Sequence, residues 1–222
     1  MSLDYVAQGR ATGYTSGVPN SPAPDEPHSL RAEQVAQTRA ALVAAGRDLF
    51  GALGFAATSV DDLARHARVT TGALYHHFPT KAKLFEAVFV AAHDEVLGAS
   101  AQAAGGAPTH VEALARGFDA FLDAVLKPDL ARIVIIDAPA VLGLARYTEL
   151  DEQYAFAAIV AALEAAAESG QLAVADPQTL ARLLLGALTR GAMLIANSAE
   201  PAKTRDEVSA AMRAMLAGFA TG

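Results

Sequence analysis

Between Thr70 and Lys83 the chain reads TTGALYHHFPTKAK, and the side chains there that could meet a partner come in a telling order. Thr71, Gly72 and Ala73 are small, Tyr75, His76 and His77 are aromatic and hydrogen-bonding, and Lys81 and Lys83 are charged. Small groups at the leading end of a helix let its backbone approach base edges, while longer polar groups behind them reach phosphates. The order therefore suits insertion into the major groove of duplex DNA. Bond-making chemistry has no comparable set. His76 and His77 are adjacent and point about a hundred degrees apart on a helix, so they cannot share a metal as an i, i+4 pair does. His66, His93 and His110 have no carboxylate at a recurring ligand spacing. Neither a Gly-rich phosphate loop after a strand nor a serine or cysteine nucleophile motif occurs. No catalytic residue, metal ligand or cofactor is expected, and the chain is not expected to be an enzyme.

Elements able to position these groups can be read from local patterning. Thr58 with Asp61 reads as a cap opening a helix whose inward side is Val60, Leu63, Ala64 and Ala67. Thr70 caps the next helix, Leu74 and Phe78 face inward four residues apart, and Pro79 stops it. A supporting helix from about Glu33 to Leu53 precedes them, with Leu42, Ala45, Leu49 and Phe50 inward and Gly54 as its C-terminal cap. Thr80 caps a helix that begins at Lys81 and runs toward Ala101, joining the reading unit to the C-terminal remainder of the chain.

From about Val35 to Val88 this segment resembles the N-terminal domain of the TetR family of transcriptional regulators. The resemblance rests on Ala45, Phe50, Gly54, Phe55, Thr58, Val60, Leu63, Ala64, the run Val69 to Phe78, Lys81, Leu84 and Phe85. It implies an all-α fold: an N-terminal three-helix helix-turn-helix DNA-binding domain, then a larger helical ligand-binding and dimerisation domain. The corresponding division is a disordered arm over 1–30, a DNA-binding domain over 31–84 and a helical domain over 85–222. By resemblance Thr71, Gly72, Ala73 and His76 go to base edges, Tyr75, His77 and Lys81 to the backbone, and Arg39 to a phosphate. The caps Thr58 and Thr70 are counted with them at the DNA. Arg68 departs from the pattern, because the family commonly has Gly there. A positive φ at Arg68 carries a strain of about 1 kcal/mol.

Composition agrees with this reading. Of 222 residues 53% are hydrophobic and only 6% aromatic, so the core is built largely of Ala and Leu, and Ala-rich sequence favours helix. With no Cys there are no disulfides or thiolate metal sites. No stretch approaches the roughly 18 unbroken apolar residues of a membrane span, and no secretory leader pattern is read. A cytoplasmic protein without a membrane partner is expected. The net charge of −7 is unevenly spread: residues 31–83 carry seven basic and four acidic side chains, residues 84–222 nine and seventeen. A mildly basic end on an acidic body orients such a molecule toward phosphates.

Beyond the reading unit, Val111, Leu114, Ala115, Phe118, Leu122 and Val125 mark a helix from about Thr109, and further helices are expected from Leu144 to Glu168, Pro177 to Ser198 and Asp206 to Phe219. Leu180, Leu183, Leu184, Ala187, Leu188, Gly191, Leu194 and Ile195 give the penultimate helix more apolar surface than one flank of a monomer needs. That pattern also allows the last two helices to pack wholly inside one subunit; the resemblance implies instead a homodimer joined by a four-helix bundle, holding two reading helices roughly 34 to 36 Å apart. The resemblance implies a cavity for an unknown small-molecule effector, for which the candidates are Phe118, Leu122, Asp137, Tyr147, Tyr154, Phe156 and Met193. Asp137 stands out as an acid within RIVIIDAPAVLG, and it could also accept N–H bonds at the start of the helix near Pro139, or pair with Arg132 or Arg146. Together these readings imply a sequence-specific regulator of operator DNA, acting as a repressor released by ligand. A helical small-molecule-binding protein without DNA affinity is the alternative.

Overall fold

The computed structural model describes residues 26–221, and the main chain there is helical in eleven α-segments. They are α1 (Glu26–Leu53), α2 (Val60–His66), α3 (Thr71–His77), α4 (Lys81–Ala104), α5 (His110–Val125), α6 (Pro128–Ala131), α7 (Ala138–Leu142), α8 (Leu144–Asp151), α9 (Ala157–Glu168), α10 (Pro177–Ala196) and α11 (Pro201–Ala217). Two π-helical stretches, Arg132–Asp137 and Glu152–Phe156, interrupt the middle of the series. Among the described residues there is no strand, only a single bridge between Leu172 and Ala220. The protein is all-α, as its composition predicts.

The chain forms two units, residues 1–36 and residues 37–222. Of the first, the described part is the opening of α1, which starts at Glu26 rather than near Glu33. Pro27 suits a first helical turn, where a missing N–H costs nothing. The arm expected over 1–30 lies outside the described residues except for 26–30. In the second unit, residues 37–80 are called the head and the remainder the body.

Three hydroxyl caps set the two short helices of the head and the start of α4 that follows it. Thr70 Oγ1 accepts from the Ala73 N–H and Thr80 Oγ1 from the Lys83 N–H, each at 3.1 Å, as expected from sequence. The first cap is different: Ser59, not Thr58, opens α2 by accepting from the Asp62 N–H. Thr58 is only 1% exposed and donates to the Gly54 and Leu49 carbonyls. Carbonyls at the end of a helix need donors, and Thr58 supplies one where α1 stops. Gly54, at φ +85°, makes that stop possible. Beneath the caps, Phe50, Phe55 and Phe85 pack ring to ring with centroids 5.3–5.7 Å apart, and Leu42, Leu63, Leu74 and Phe78 are buried beside them.

In the body, α4 and α5 lie against each other and α10 packs with α11. Gly191 allows the latter approach, since a Cβ there would sit 2.5 Å from Val208 Cγ1. Asp119 on α5 fixes α11 through Ser209, Arg205 and Arg213. α11 starts at Pro201 instead of Asp206, with the proline in its first turn. By length and composition α10 could cross a membrane, but Leu180, Leu184, Leu188 and Ile195 are buried against other helices of this protein. Its apolarity is that of a core helix.

Candidate nucleic-acid interface and effector cavity

α3 is short, seven residues, and turns Leu74 and the adjoining Phe78 inward, so everything else on it faces outward to some degree. Tyr75 is 48% exposed, and Gly72 and His76 are exposed as well. His77 and Ala73 are half-buried. A Cβ on Gly72 would meet nothing closer than Thr70 Oγ1 at 3.9 Å, so packing within the protein does not demand glycine there. Thr71 Oγ1 donates to Asp61 Oδ1 at 3.2 Å, and the His76 and His77 rings stand edge to face. The Arg39 guanidinium lies over the Phe78 ring, 5.1 Å from its centroid, which ties α1 to the end of α3.

Two residues expected at the DNA are engaged elsewhere. Thr58 is buried, as described. Lys81 Nζ donates to the Phe55 and Thr58 carbonyls at 2.8 and 2.9 Å and sits over the Phe55 ring. A lysine so placed bridges the loop after α1 to the start of α4 and has only one of its three N–H donors left for a phosphate. Arg68 has φ +57°, the sole positive φ outside glycine among the described residues. The turn thus takes the left-handed conformation that its usual glycine would adopt without strain.

Head and body are joined by polar contacts. The Phe55 N–H donates to Asp137 Oδ2 at 2.7 Å, and Arg132 donates to the Ala52 carbonyl. Asp137 therefore accepts a backbone N–H, but from the head and not from its own helix start: α7 has no side-chain cap. Neither Arg132 nor Arg146 forms an ion pair with it in the structure. Arg47 meets Asp129 at 2.8 Å, and Gly51 lets α6 close in, because a Cβ there would lie 2.9 Å from Asp129 Cβ. Burial pushes the Asp129 carboxyl up, yet the Arg47 charge and hydrogen bonds more than offset it and leave it below the ordinary range. Glu86 on α4 accepts from Lys83 at 2.7 Å and from Arg146 at 2.6 Å. The Lys83 hydrogen bond first, and Arg146 after it, hold the Glu86 carboxyl below its usual value against partial burial.

Inside the body is a cavity of about 280 Å³ between α4, α5, α9 and α10. Its walls are mostly apolar, with Leu114, Phe118, Phe121, Ile159 and Leu185 among them, and its polar members are His93, Ser100 and Asp151. Of the seven residues expected to line such a cavity, Phe118 does. Leu122 and Tyr147 are core residues outside the wall, Tyr147 standing edge-on to Phe89, and burial raises its phenol well above the ordinary range. Tyr154 stands behind His93 at a ring distance of 6.1 Å, Phe156 lies under the Arg182 guanidinium, Met193 is half-buried on α10, and Asp137 is at the head. His93 and Ser100, missed from sequence, had a readable signal: two polar residues seven apart on an otherwise apolar side of α4. His93 also faces a carboxylate distant in sequence, Asp151, and His66 faces Asp48 at 3.0 Å.

A helix-turn-helix head on an all-helical body with an apolar cavity is the build of a DNA-binding regulator. The family description "Bacterial regulatory proteins, tetR family" matches residues 42–88, and "Tetracyclin repressor-like, C-terminal domain" matches 111–219. A crystal structure of a TetR-family transcriptional regulator from Pectobacterium atrosepticum is 33% identical, with a TM-score of 0.78, covering 86% of this chain and 98% of that one. The transposon Tn10 TetC protein of Escherichia coli is 26% identical over 187 residues, 83% of this chain and 93% of its own. Over 62 residues, 28% of this chain and 30% of the relative, the identity to the HTH-type transcriptional regulator TtgR of Pseudomonas putida is 39%. The chain belongs to the TetR family and is a DNA-binding transcriptional regulator.

Proposed function

We propose that this protein is a cytoplasmic, homodimeric repressor that reads an operator through α3 and leaves it when a small molecule enters the cavity of the body. The observation that carries the reading is α3 itself: capped by Thr70, anchored by Leu74 and Phe78, and presenting Thr71, Gly72, Ala73, Tyr75 and His76 outward. Thr71, Gly72, Ala73 and His76 are assigned to base edges, and Tyr75, His77 and Arg39 to the backbone. The DNA-binding domain ends near Leu84, and the effector and pairing domain begins there. Pairing uses the outer side of α10 and α11, where Leu183 is 64% exposed and Leu194 and Met215 are exposed too. Leu180, Leu184, Leu188, Gly191 and Ile195, also expected in the bundle, are already buried within the protomer, so the pairing surface is narrower than the sequence implies.

Occupancy of an operator blocks polymerase without further contacts, which favours repression. Transmission needs a ligand that prefers one body conformation, and a coupling of about 1–3 kcal/mol weakens operator affinity by roughly 5- to 150-fold. Selection of binding sites from random DNA tests the reading: a palindromic site is expected, with a log–log salt slope of roughly −5 to −7 for a dimer making about six to eight phosphate contacts. Thr71→Ala and His76→Ala should each change preference at particular base pairs by about 1–3 kcal/mol. Recovery of no preferred site, or sedimentation as a monomer at micromolar concentration, refutes it.

A further inference from the structure

The cavity carries more than apolar walls. His93 is 2% exposed, and neither its Nδ1 nor the Ser100 Oγ has a hydrogen-bond partner among the described residues. Buried polar atoms without partners are costly, and both residues line the same cavity. The His93 ring is held in place. Phe89 lies against it at a ring distance of 4.9 Å, Tyr154 stands at 6.1 Å, and Nε2 faces Asp151 Oδ1 at 3.5 Å. In the tautomer whose Nε2–H points at this carboxylate, Nδ1 is an acceptor. Thr189 Oγ1 donates to Asp151 Oδ2, and Oδ1 is the oxygen that faces the His93 ring.

Spacing then sets the shape of what fits. His93 and Ser100 are seven residues apart on one regular helix, an axial separation of about 10 Å, too far for a single hydroxyl to reach both. A volume of about 280 Å³ corresponds to roughly nine waters' share of liquid, hence a ligand on the order of ten non-hydrogen atoms. No Lys or Arg lines the wall, so an anion would be stripped of water with no cation to meet it.

We propose that the effector is an uncharged single-ring aromatic compound lying along α4, with a phenolic hydroxyl that donates to His93 Nδ1 and a carbonyl-type acceptor at the opposite end that takes the Ser100 hydroxyl proton. This rests on the effector role given to the cavity above and names the chemistry of its occupant. Titration calorimetry on the full chain tests it with 4-hydroxyacetophenone as probe. Acetophenone lacks the hydroxyl, 4-ethylphenol lacks the acceptor, and 4-hydroxybenzoate and phenethylamine carry the two opposite charges. Each of the four is expected to bind about ten-fold more weakly or worse. His93→Leu should abolish the preference over acetophenone alone, and Ser100→Ala the preference over 4-ethylphenol alone. Equal binding of the neutral comparators, tighter binding of either charged one, or no heat from the probe at millimolar concentration overturns the proposal. Those comparisons use the unaltered protein, so they stand even where His93→Leu fails to fold. Operator selection is a separate measurement: a protein that finds its operator but ignores the probe keeps the regulatory reading and loses this one.

Discussion

The head and the body are both helical, yet they are held in shape by different means. Each helix start around the reading unit has its own side-chain cap, from Ser59, Thr70 and Thr80, and the aromatic cluster of Phe50, Phe55 and Phe85 lies directly beneath. In the middle of the body α7, α8 and α9 have no side-chain cap, and π-helical stretches take the place of regular turns. One such stretch reaches the head through Arg132 and Asp137, and the other contributes Ala155 to the cavity wall. Local caps fix a geometry independently of what surrounds it, whereas π-helical turns often mark functional sites. A probe that must match DNA sits on the first kind of scaffold, whereas the cavity mixes the two: α4, α5 and α10 are capped by Thr80, Thr109 and Asp176, and only the wall from Asp151 through α9 belongs to the second kind.

Breaking the head itself should have the largest effect. Leu74 is fully buried, and Leu74→Ala is expected to cost about 2–5 kcal/mol in denaturant unfolding and to take DNA binding with it. Next comes the joint. Asp137→Ala leaves the Phe55 N–H without its acceptor and should cost about 1–3 kcal/mol; in the same variant effector-driven release should weaken far more than operator affinity, and Asp137→Asn should recover much of both. If Asp137→Ala responds to effector as the unaltered protein does, the joint does not transmit.

Lys81→Ala separates structure from recognition. As a phosphate contact, its loss would flatten the salt slope by about 1; as the bridge between the Phe55 and Thr58 carbonyls, its loss should cost about 1–2 kcal/mol of stability and leave the slope unchanged. Glu86 gives a pH handle on the α4–α8 contact. Its folded pKa lies below the ordinary 4.5, so its contribution is complete above that pH and is lost as pH falls through the depressed value. Glu86→Gln should therefore lower stability at neutral pH by about 1 kcal/mol and flatten the acid limb of the stability profile. The smallest effect is expected at the turn: Arg68→Gly should raise stability by about 0.5 kcal/mol, since relief of the positive φ is partly offset by glycine's freedom in the unfolded chain.

What could be read from sequence was what local chemistry decides. Thr70 and Thr80 cap the helices assigned to them, and Gly54 ends α1 as expected, because each choice depends on residues within one turn. Thr58 and Ser59 are adjacent hydroxyls, and which one caps α2 was settled by carbonyls of α1 that needed a donor. Asp137 looked like a local cap because Pro139 lies just after it, while its partner is 82 positions away. Cavity walls were harder still: Ala, Leu and Phe line a hole and fill a core equally well, so composition could not separate Phe118 from Leu122. Only the polar pair on α4 broke that ambiguity, and its meaning depended on which helices came to lie across from it.

The open space around Gly72 has a genetic corollary. A Cβ there meets only ordinary contact distance, so a Gly72→Ala chain should fold normally and, on the proposed pairing, still join a sister chain while its probe is blunted against the double helix. If the protein pairs as proposed, such a chain co-produced with the wild type would draw intact subunits into mixed pairs with one working arm, and a modest excess of it should silence the regulator in the cell.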